Sequence, residues 1–344
     1  MEEPRTRPAD RAVTRFGIVG FGLHAVRRLM PGFSASREAV VTALSRRDEQ
    51  RARQSAAEYG IPHWFSGAAA LCELPEVDAV LVTTPNSAHL PDVLTALRYG
   101  KPVLVEKPMG MNAGECRQMV AAAEAAGVLL GVAQVFRFTH SLNRIRAMIR
   151  AGDVGEPLFA RCDFSYPGLR HARSWIGKRE ISGGGPVMDV GIHCVDALRY
   201  LLEQEVTHVA AFARFDHNWP EVEAAATLGL RFQSGVLATI SVSARAEYRT
   251  PVEIVGTSGA IRADDGLTVD RPITIELRRG GELVRREEVN NQDAYARQVD
   301  AFARAVRSFE PFPAPGHDGI RNQNVLDAAY RSLQTSRIEE VGKP

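Results

Sequence analysis

The sequence predicts an α/β protein of two domains, in which a parallel sheet flanked by helices is followed by an α+β domain with a largely antiparallel, open sheet. Three observations support this prediction. Short apolar runs alternate with helical patterns between residues 15 and 134, a glycine-rich turn follows the first run, and closely spaced apolar runs without intervening helices occupy residues 228–277. Alternating strands and helices are typical of a parallel sheet, and consecutive strands joined by turns are typical of an antiparallel one.

The first domain is predicted at residues 15–134. It follows a tail at residues 1–14 that is expected to be disordered, because it is rich in Arg, Pro and Glu and has no apolar segment. Strands are expected at 16–19, 40–44, 79–83, 103–105 and 128–133, with helices at 49–59, 90–99 and 112–126. Two of these helical patterns stop at Gly60 and Gly100, and glycine is common just beyond the last turn of a helix.

The second domain, expected to bind substrate and to mediate oligomerisation, is predicted at residues 135–339. A helix at 142–151, an extended segment and a helix after three glycines precede the strands. Strands are expected at 228–232, 236–242, 252–255 and 273–277, and two helices near 295–309 and 319–334 close the chain. Turn signals such as Thr257-Ser258-Gly259 separate the strands, which favours antiparallel pairing.

The composition excludes several classes of protein. Of the 344 residues, 45% are hydrophobic and 24% are charged, as in ordinary globular chains. The formal net charge of +1 gives no strong field for nucleic acid or anionic membranes, so a small molecule is the expected partner. The four cysteines lack paired spacing, which argues against disulfides and a structural zinc and favours a reducing, cytoplasmic setting. No apolar run approaches the length of a membrane-spanning helix.

The glycine-rich turn after the first strand has the spacing Gly20-x-Gly22-x-x-Ala25. In dinucleotide-binding domains of the Rossmann type, such glycines allow a tight turn and a close backbone approach to a pyrophosphate at a helix N-terminus. Leu23 and His24, which lie inside the motif, are therefore counted among the cofactor-binding residues. A glycine-rich turn that binds no ligand is the alternative, and the flanking strand and helix make it less favourable.

The end of the second predicted strand bears on the choice between NAD and NADP. An acidic residue there would accept hydrogen bonds from the ribose of NAD, but Leu44 is followed by Ser45, Arg46 and Arg47 before the first carboxylate, Asp48. Hydroxyl and guanidinium groups suit a 2′-phosphate, so NADP is favoured over NAD. The alternative is that these arginines form the solvated start of a helix.

An acidic residue and a histidine follow the triple glycine at Gly183–Gly185. Asp189 and His193 are four residues apart, which places both on one face of a predicted helix. A carboxylate beside an imidazole favours proton-transfer chemistry, because the imidazole gains and loses a proton near neutral pH. A capping or core pair with no catalytic role is the alternative.

Taken together in this order, four motifs resemble the Gfo/Idh/MocA oxidoreductase family, which includes glucose-fructose oxidoreductase and inositol dehydrogenase. They are Gly20 to Ala25, Thr83-Thr84-Pro85-Asn86 followed by His89, the segment from Gly100 to Glu106-Lys107-Pro108, and Gly183 to Asp196. The resemblance covers nearly all of the chain after residue 14. It implies a nicotinamide-dependent enzyme.

The resemblance also implies roles for individual residues. Lys107 would lie beside the nicotinamide and contact the substrate oxygen, where an ammonium stabilises a developing alkoxide. Asp189 would orient the substrate or His193, and His193 would exchange the proton that accompanies hydride transfer. The cofactor would be lined by Thr84, Pro85, Asn86 and His89. Glu106 would hold the loop or contact the nicotinamide ribose, and Gln134 would lie near the nicotinamide.

Aromatic and basic side chains between residues 134 and 183 could surround a polyhydroxylated ligand, since aromatic faces pack on sugar C–H groups and cations bond hydroxyls. From this set Arg137 and Trp175 are chosen as substrate-binding residues. The set also contains Phe136, Tyr166, Arg170, His171, Arg173, Lys178 and Arg179. For most of the arginines, a solvent-exposed charge is the alternative.

These interpretations lead to an NADP-favouring dehydrogenase or reductase acting on a sugar, inositol or related polyol. An NAD-dependent glycosidase that oxidises its substrate transiently is one alternative, and a cofactor-sensing protein without catalysis is another. Because the family's enzymes assemble through the open face of the C-terminal sheet, the resemblance also implies a homodimer or homotetramer.

Overall fold

The computed structural model describes residues 13–168, 174–217, 219–308 and 310–342. Most of the predicted tail, up to residue 12, lies outside them, as do Arg170, His171, Arg173 and the predicted helix end at 309. Thr14, which the prediction assigned to the tail, instead opens the first strand. The chain forms two compact units, and the first comprises the described residues up to Gly110, Gly114–Ala133 and Tyr295–Asp318. The second comprises Met111–Ala113, Gln134–Ala294 and the chain from Gly319 onward.

The first unit contains a six-stranded sheet in the order β3-β2-β1-β4-β5-β6, and every strand pair is parallel. The strands are β1 (Thr14–Val19), β2 (Ala39–Ser45), β3 (His63–Phe65), β4 (Ala79–Val82), β5 (Val103–Val105) and β6 (Leu130–Val132). Central strands such as β4 are buried along their whole length, which explains their continuous apolar runs. Strand β3 was not predicted, because it is a three-residue edge strand without an apolar run.

The helices of this unit are α1 (Met30–Ala35), α2 (Glu49–Tyr59), α3 (Ala68–Glu73), α4 (Asn86–Arg98) and α5 (Ala113–Ala126). A π-helical segment, Ala25–Leu29, leads into α1. Helix α2 has the predicted bounds, because Asp48 caps its start and Gly60 ends it with a φ of 64°. Helix α4 begins four residues before its predicted start, since Pro91 lies within the helix and obscured the pattern.

The segment Tyr295–Asp318 belongs to the first unit, whereas the sequence-based division had placed it in the second domain. Aromatic packing is the physical reason. The ring of Phe302 lies 5.2 Å from that of Phe312 and 6.0 Å from that of Phe16 on β1. Gly131 on β6 faces Phe312 so closely that a Cβ there would lie 2.6 Å from the ring. The core of the first unit is therefore completed by residues from late in the chain.

The second unit contains a nine-stranded sheet in the order β14-β13-β12-β11-β7-β10-β9-β8-β15. Its strands are β7 (Pro157–Ser165), β8 (Val206–Asp216), β9 (Trp219–Phe232), β10 (Leu237–Ser243), β11 (Val252–Gly256), β12 (Ala260–Ala263), β13 (Pro272–Arg279), β14 (Glu282–Asn290) and β15 (Glu339–Glu340). Strands β7 and β10 pair in parallel and the other pairs are antiparallel. The predicted largely antiparallel sheet is therefore confirmed.

The remaining helices are α6 (His140–Arg150), α7 (Arg179–Ser182), α8 (Ile192–Leu202), α9 (Ala294–Ser308) and α10 (Gly316–Thr335). Helix α8 is buried on nearly every side and packs against β7 and α6. The sheet is open on one face, where alternate residues of β10, beginning with Leu237, are exposed or half-buried. Within the described ranges, every helix is too short or too polar to cross a bilayer.

Candidate active site

The glycine-rich turn of the first unit is fixed to the ends of two strands. The N–H groups of Gly20 and Phe21 donate to the carbonyl of Ser45 at 3.1 and 2.9 Å. Gly20 has a φ of +84°, and a Cβ there would lie 2.7 Å from the main-chain nitrogen of Thr84. Glycine is thus required by both conformation and space.

Gly22 differs from Gly20, because a Cβ on it would meet nothing closer than the Gly20 carbonyl oxygen at 3.6 Å. The chain becomes helical immediately afterwards, at the half-buried Leu23 and His24. Open space above a glycine at the start of a helix fits the close approach of a pyrophosphate. The residues present therefore suit a dinucleotide.

Beside this turn, His24 and Glu106 form a pair in which Nε2 lies 2.8 Å from Oε1. Glu106 follows β5 and also accepts a hydrogen bond from the N–H of Lys107 at 3.2 Å. Burial alone would raise the pKa of Glu106, but His24 and Lys107 together hold it below its ordinary value. Glu106 therefore carries a negative charge beside the half-buried Lys107. The peptide bond between Lys107 and Pro108 is cis.

His89 braces two loops at the carboxyl end of the parallel sheet. Its Nδ1 lies 2.9 Å from the Pro108 carbonyl oxygen, and its Nε2 lies 2.8 Å from the Thr84 carbonyl oxygen. The ring is fully buried, and this burial holds the pKa of His89 below its ordinary value. The structure therefore shows His89 supporting the loop of Lys107, and its contact with a cofactor stays a prediction.

The neighbouring residues of that loop start helix α4. Pro85 occupies the position before the first helical residue, and Asn86 is the buried first residue. The hydroxyl of Thr84 donates to Asp92 at 2.8 Å. This places Thr84, Pro85 and Asn86 at the carboxyl edge of β4, where open parallel sheets bind ligands.

At the end of β2, the hydroxyl-bearing Ser45 is buried, whereas Arg47 is exposed and Arg46 half-buried. Arg46 turns back to donate to the Ser55 hydroxyl at 2.8 Å. Asp48 accepts from the N–H of Arg51 and so caps α2. Asp48, the first acidic side chain after β2, is therefore engaged as the N-cap of α2.

In the second unit, the segment after the triple glycine is π-helical from Val187 to Gly191 and continues as α8. Asp189 lies in the π-helical part and His193 in the first turn of α8. Hydrogen bonds in a π-helical turn join residues five apart, whereas those in an α-helix join residues four apart. The hydroxyl of Tyr166 donates to Asp189 Oδ2 at 2.6 Å, which holds this buried carboxylate in place.

Two phenyl rings enclose His193. The ring of Phe136 meets it edge-on at 4.8 Å between centroids, and the ring of Phe164 stacks at 6.0 Å with 25° between the planes. Reasoning from sequence missed Tyr166, Phe136 and Phe164 as supports of the candidate pair. The sequence singled out Tyr166 and Phe136 only as members of an aromatic and basic set around the substrate. Tyr166 and Phe164 flank the carboxyl end of β7, so their place beside the candidate pair depends on how that strand packs.

The predicted substrate ligands of the second unit have different settings. Arg137 forms a buried, two-pronged pair with Asp196, with nitrogen–oxygen distances of 2.9 and 2.6 Å. Trp175 lies half-buried in a short 3₁₀ helix, Ser174–Gly177. Gln134 is buried at the start of another 3₁₀ helix. The contacts of Arg137 and Trp175 with substrate, and of Gln134 with cofactor, stay predictions.

Comparison with known proteins agrees with this fold. Residues 14–134 match an oxidoreductase family with an NAD-binding Rossmann fold, and residues 142–262 match the GFO/IDH/MocA C-terminal domain. D-xylose 1-dehydrogenase (NADP(+)) 2 of Haloferax volcanii is 31% identical over 328 residues, covering 95% of this chain and 99% of its own length. The 1,5-anhydro-D-fructose reductase of Ensifer adhaerens is 29% identical over 331 residues, covering 96% and 99%.

A solved structure is similar throughout. The crystal structure of aldose-aldose oxidoreductase from Caulobacter crescentus, complexed with glycerol, has a TM-score of 0.89 and 26% identity over 95% of this chain and 99% of that one. The glycine turn, the two sheets and these matches define a dinucleotide-dependent oxidoreductase. The chain belongs to the Gfo/Idh/MocA family and is an enzyme of the dehydrogenase and reductase class.

Proposed function

We propose that the protein transfers hydride between the nicotinamide of NADP and a carbinol or carbonyl carbon of a sugar, inositol or related polyol. The observation that carries the proposal is Asp189, held by Tyr166, one helical turn before the enclosed His193. A fixed carboxylate four residues before an enclosed imidazole on the same helix is suited to the proton transfer that must accompany hydride transfer to or from an alcohol.

The bound nicotinamide would supply or accept the hydride. During oxidation, Lys107 stabilises the negative charge that develops on the substrate oxygen, and His193 accepts the hydroxyl proton. During reduction, the same groups act in reverse. Asp189 orients the substrate hydroxyl or the imidazole. Glu106, which directly precedes Lys107, places a carboxylate beside the ammonium and helps to hold the cofactor.

The residues that follow β2 favour NADP over NAD. Asp48 is engaged as the cap of α2, and Arg47 is the exposed cation there. A guanidinium offers several donors to a 2′-phosphate, whereas NAD would require an acceptor for its ribose hydroxyl. One relative, from Haloferax volcanii, is named for NADP. Arg46, which donates a hydrogen bond to Ser55, would contribute to binding of the 2′-phosphate through its positive charge.

Sugars or polyols are favoured as substrates because the similar proteins are named for D-xylose, 1,5-anhydro-D-fructose and aldoses. Trp175 would provide an aromatic face for a sugar ring. We place the enzyme in a reducing, cytoplasmic setting, since the four cysteines, all within the described residues, are buried and form no disulfide. A homodimer or homotetramer through the open sheet face is proposed because Phe159 and Leu237 are exposed there.

A fluorescence titration with NADPH and NADH tests the cofactor assignment. Wild type should bind NADPH more tightly, and Arg47→Ala should lose about 10-fold in NADPH affinity, as expected for about 1.4 kcal/mol of lost charge-assisted bonding, while NADH affinity changes little. Arg53→Ala, at an exposed position on α2, is the matched control and should change neither. Tighter binding of NADH by wild type would overturn the assignment to NADP.

Turnover on a panel of sugars and polyols separates the three functional readings. Net oxidation or reduction of NADP(H) supports the dehydrogenase. Release of a cleaved sugar without net change of cofactor would indicate the NAD-dependent glycosidase, and tight cofactor binding without any product would indicate a sensor.

A further inference from the structure

A buried carboxyl that the proposed reaction does not use lies at the start of the helix that carries the candidate pair. Glu223, on β9, is fully buried. Its Oε1 accepts from the N–H of Val187 and from the hydroxyl of Tyr330 on α10, both at 3.0 Å. Val187 opens the π-helical segment that contains Asp189. Glu223 therefore connects β9 and α10 to the beginning of this segment.

The glycines before the segment are fitted to the same two residues. A Cβ on Gly185 would lie 1.9 Å from the carbonyl oxygen of Glu223, and one on Gly184 would lie 1.8 Å from the hydroxyl oxygen of Tyr330. No side chain fits at these distances, so glycine lets the main chain rest directly on both residues. The carbonyl of Gly185 then accepts from the N–H of Asp189 at 3.0 Å. A short chain of contacts thus runs from Glu223 to Asp189.

The pKa shifts of Glu223 and Tyr330 are consistent with this arrangement. Burial raises the pKa of Glu223, and hydrogen bonds from main-chain N–H groups, including those of Val187 and Gly185, and from Tyr330 oppose the rise. Burial and the neighbouring Glu223 raise the pKa of Tyr330 well above its ordinary value, so the hydroxyl keeps the proton that it donates. An acidic side chain at a helix start also satisfies N–H groups that have no partner within the helix.

We propose that Glu223, together with Tyr330, is a positioning residue that holds the Gly183–Gly185 turn and thereby fixes Asp189 and His193 for proton transfer. The inference rests on the proposed function. Misplacing a reacting group by about 1 Å can cost about 100-fold in rate. The Gly20–Gly22 turn and the residues after β2, which are the proposed cofactor contacts, belong to the other unit. Loss of the Glu223 side chain should therefore lower kcat and leave cofactor affinity unchanged.

Three variants test this role. Glu223→Ala should lower kcat by about 30- to 100-fold, with the KM for NADP(H) within about 2-fold of wild type. Glu223→Gln keeps an oxygen that accepts from Val187 and Tyr330, so it should restore kcat to within about 5-fold of wild type. Glu282→Gln, the same change at an exposed site on β14, is the matched control and should be silent.

Hydrogen exchange measured by mass spectrometry gives a readout that needs no substrate. Amides of residues 187–193 should exchange about 10-fold faster in Glu223→Ala than in wild type and should return to wild-type rates in Glu223→Gln. Unchanged exchange, or a kcat that survives in folded Glu223→Ala, would overturn the inference. If Glu223→Ala does not fold, Tyr330→Phe must accelerate exchange in the same segment, or the inference is wrong. An inactive wild type would defeat the proposed function instead, and exchange would still decide whether Glu223 holds the segment.

Discussion

Single side chains of the candidate site are held by partners that are distant in sequence. Tyr166 and Asp189 are separated by 23 residues, and His89 and Pro108 by 19. Motif spacing could predict Asp189 and His193 as a pair because they share one helix. It could not predict the hydroxyl that holds Asp189, since that contact exists only after β7 and the helix pack together.

His89 gives rise to a prediction on pH and stability. Its pKa is lowered from 6.5 by burial, so the unfolded chain binds a proton more readily than the folded protein does. The contribution of His89 to the free energy of unfolding is therefore fully present above pH 6.5. It should decrease as the pH falls below 6.5 toward the folded-state pKa of His89. Urea unfolding at several pH values should show this loss.

Two variants isolate the contribution of His89. In His89→Gln the slope of stability against pH should become flatter just below pH 6.5, because the titrating group is gone. His63→Gln, at a half-buried site on β3, serves as the control and should keep the wild-type slope. An unchanged slope in His89→Gln would show that His89 is not the group responsible.

Among the elements, strands and helices with strong local signals were predicted well. Helix α2 has the expected bounds because Asp48 and Gly60 mark its ends. Short or edge strands were missed, as with β3, and the parallel pairing of β7 with β10 was missed because nothing local specifies it. The π-helical start of the segment carrying Asp189 was also not predicted, since its sequence pattern is that of an ordinary helix.

The junction between the 3₁₀ helix at Val135–Phe138 and helix α8 gives a prediction on stability. Arg137 and Asp196 form a buried pair, and Asn322 donates to the same carboxylate at 2.7 Å. Arg137→Met leaves that carboxylate buried without its cation. The free energy of unfolding should fall by about 3–5 kcal/mol in a urea titration.

A matched pair on the surface provides the control. Arg262 and Asp264 are both exposed, so Arg262→Met should cost at most about 1 kcal/mol. The double variant Arg137→Met/Asp196→Leu should recover much of the stability, because it removes the stranded charge. If Arg137→Met were as mild as the surface variant but raised the KM for substrate, Arg137 would be a substrate ligand rather than a structural residue.

For the whole molecule, the sequence supported the two-sheet α/β class and the family, because the glycine turn and the Glu106-Lys107-Pro108 motif are local patterns. It did not reveal that Tyr295–Asp318 completes the core of the first unit. That assignment depends on Phe302, whose ring lies against those of Phe16 and Phe312, and aromatic residues almost 300 positions apart leave no periodic signal. A segment from late in the chain therefore belongs to the unit that is formed mainly by the start of the chain.

The proposed reaction passes hydride between a polyol carbon and NADP. The most direct measurement uses the best polyol of the panel, labelled with deuterium at the carbinol carbon, and follows the label by mass spectrometry. We expect deuterium on nicotinamide C4 in an amount equal to the oxidised sugar, and a strong loss of transfer in His193→Asn, about 100-fold or more, with cofactor binding retained. Deuterium that stays in or returns to the sugar, with no reduced NADP formed, would rule out hydride transfer to NADP.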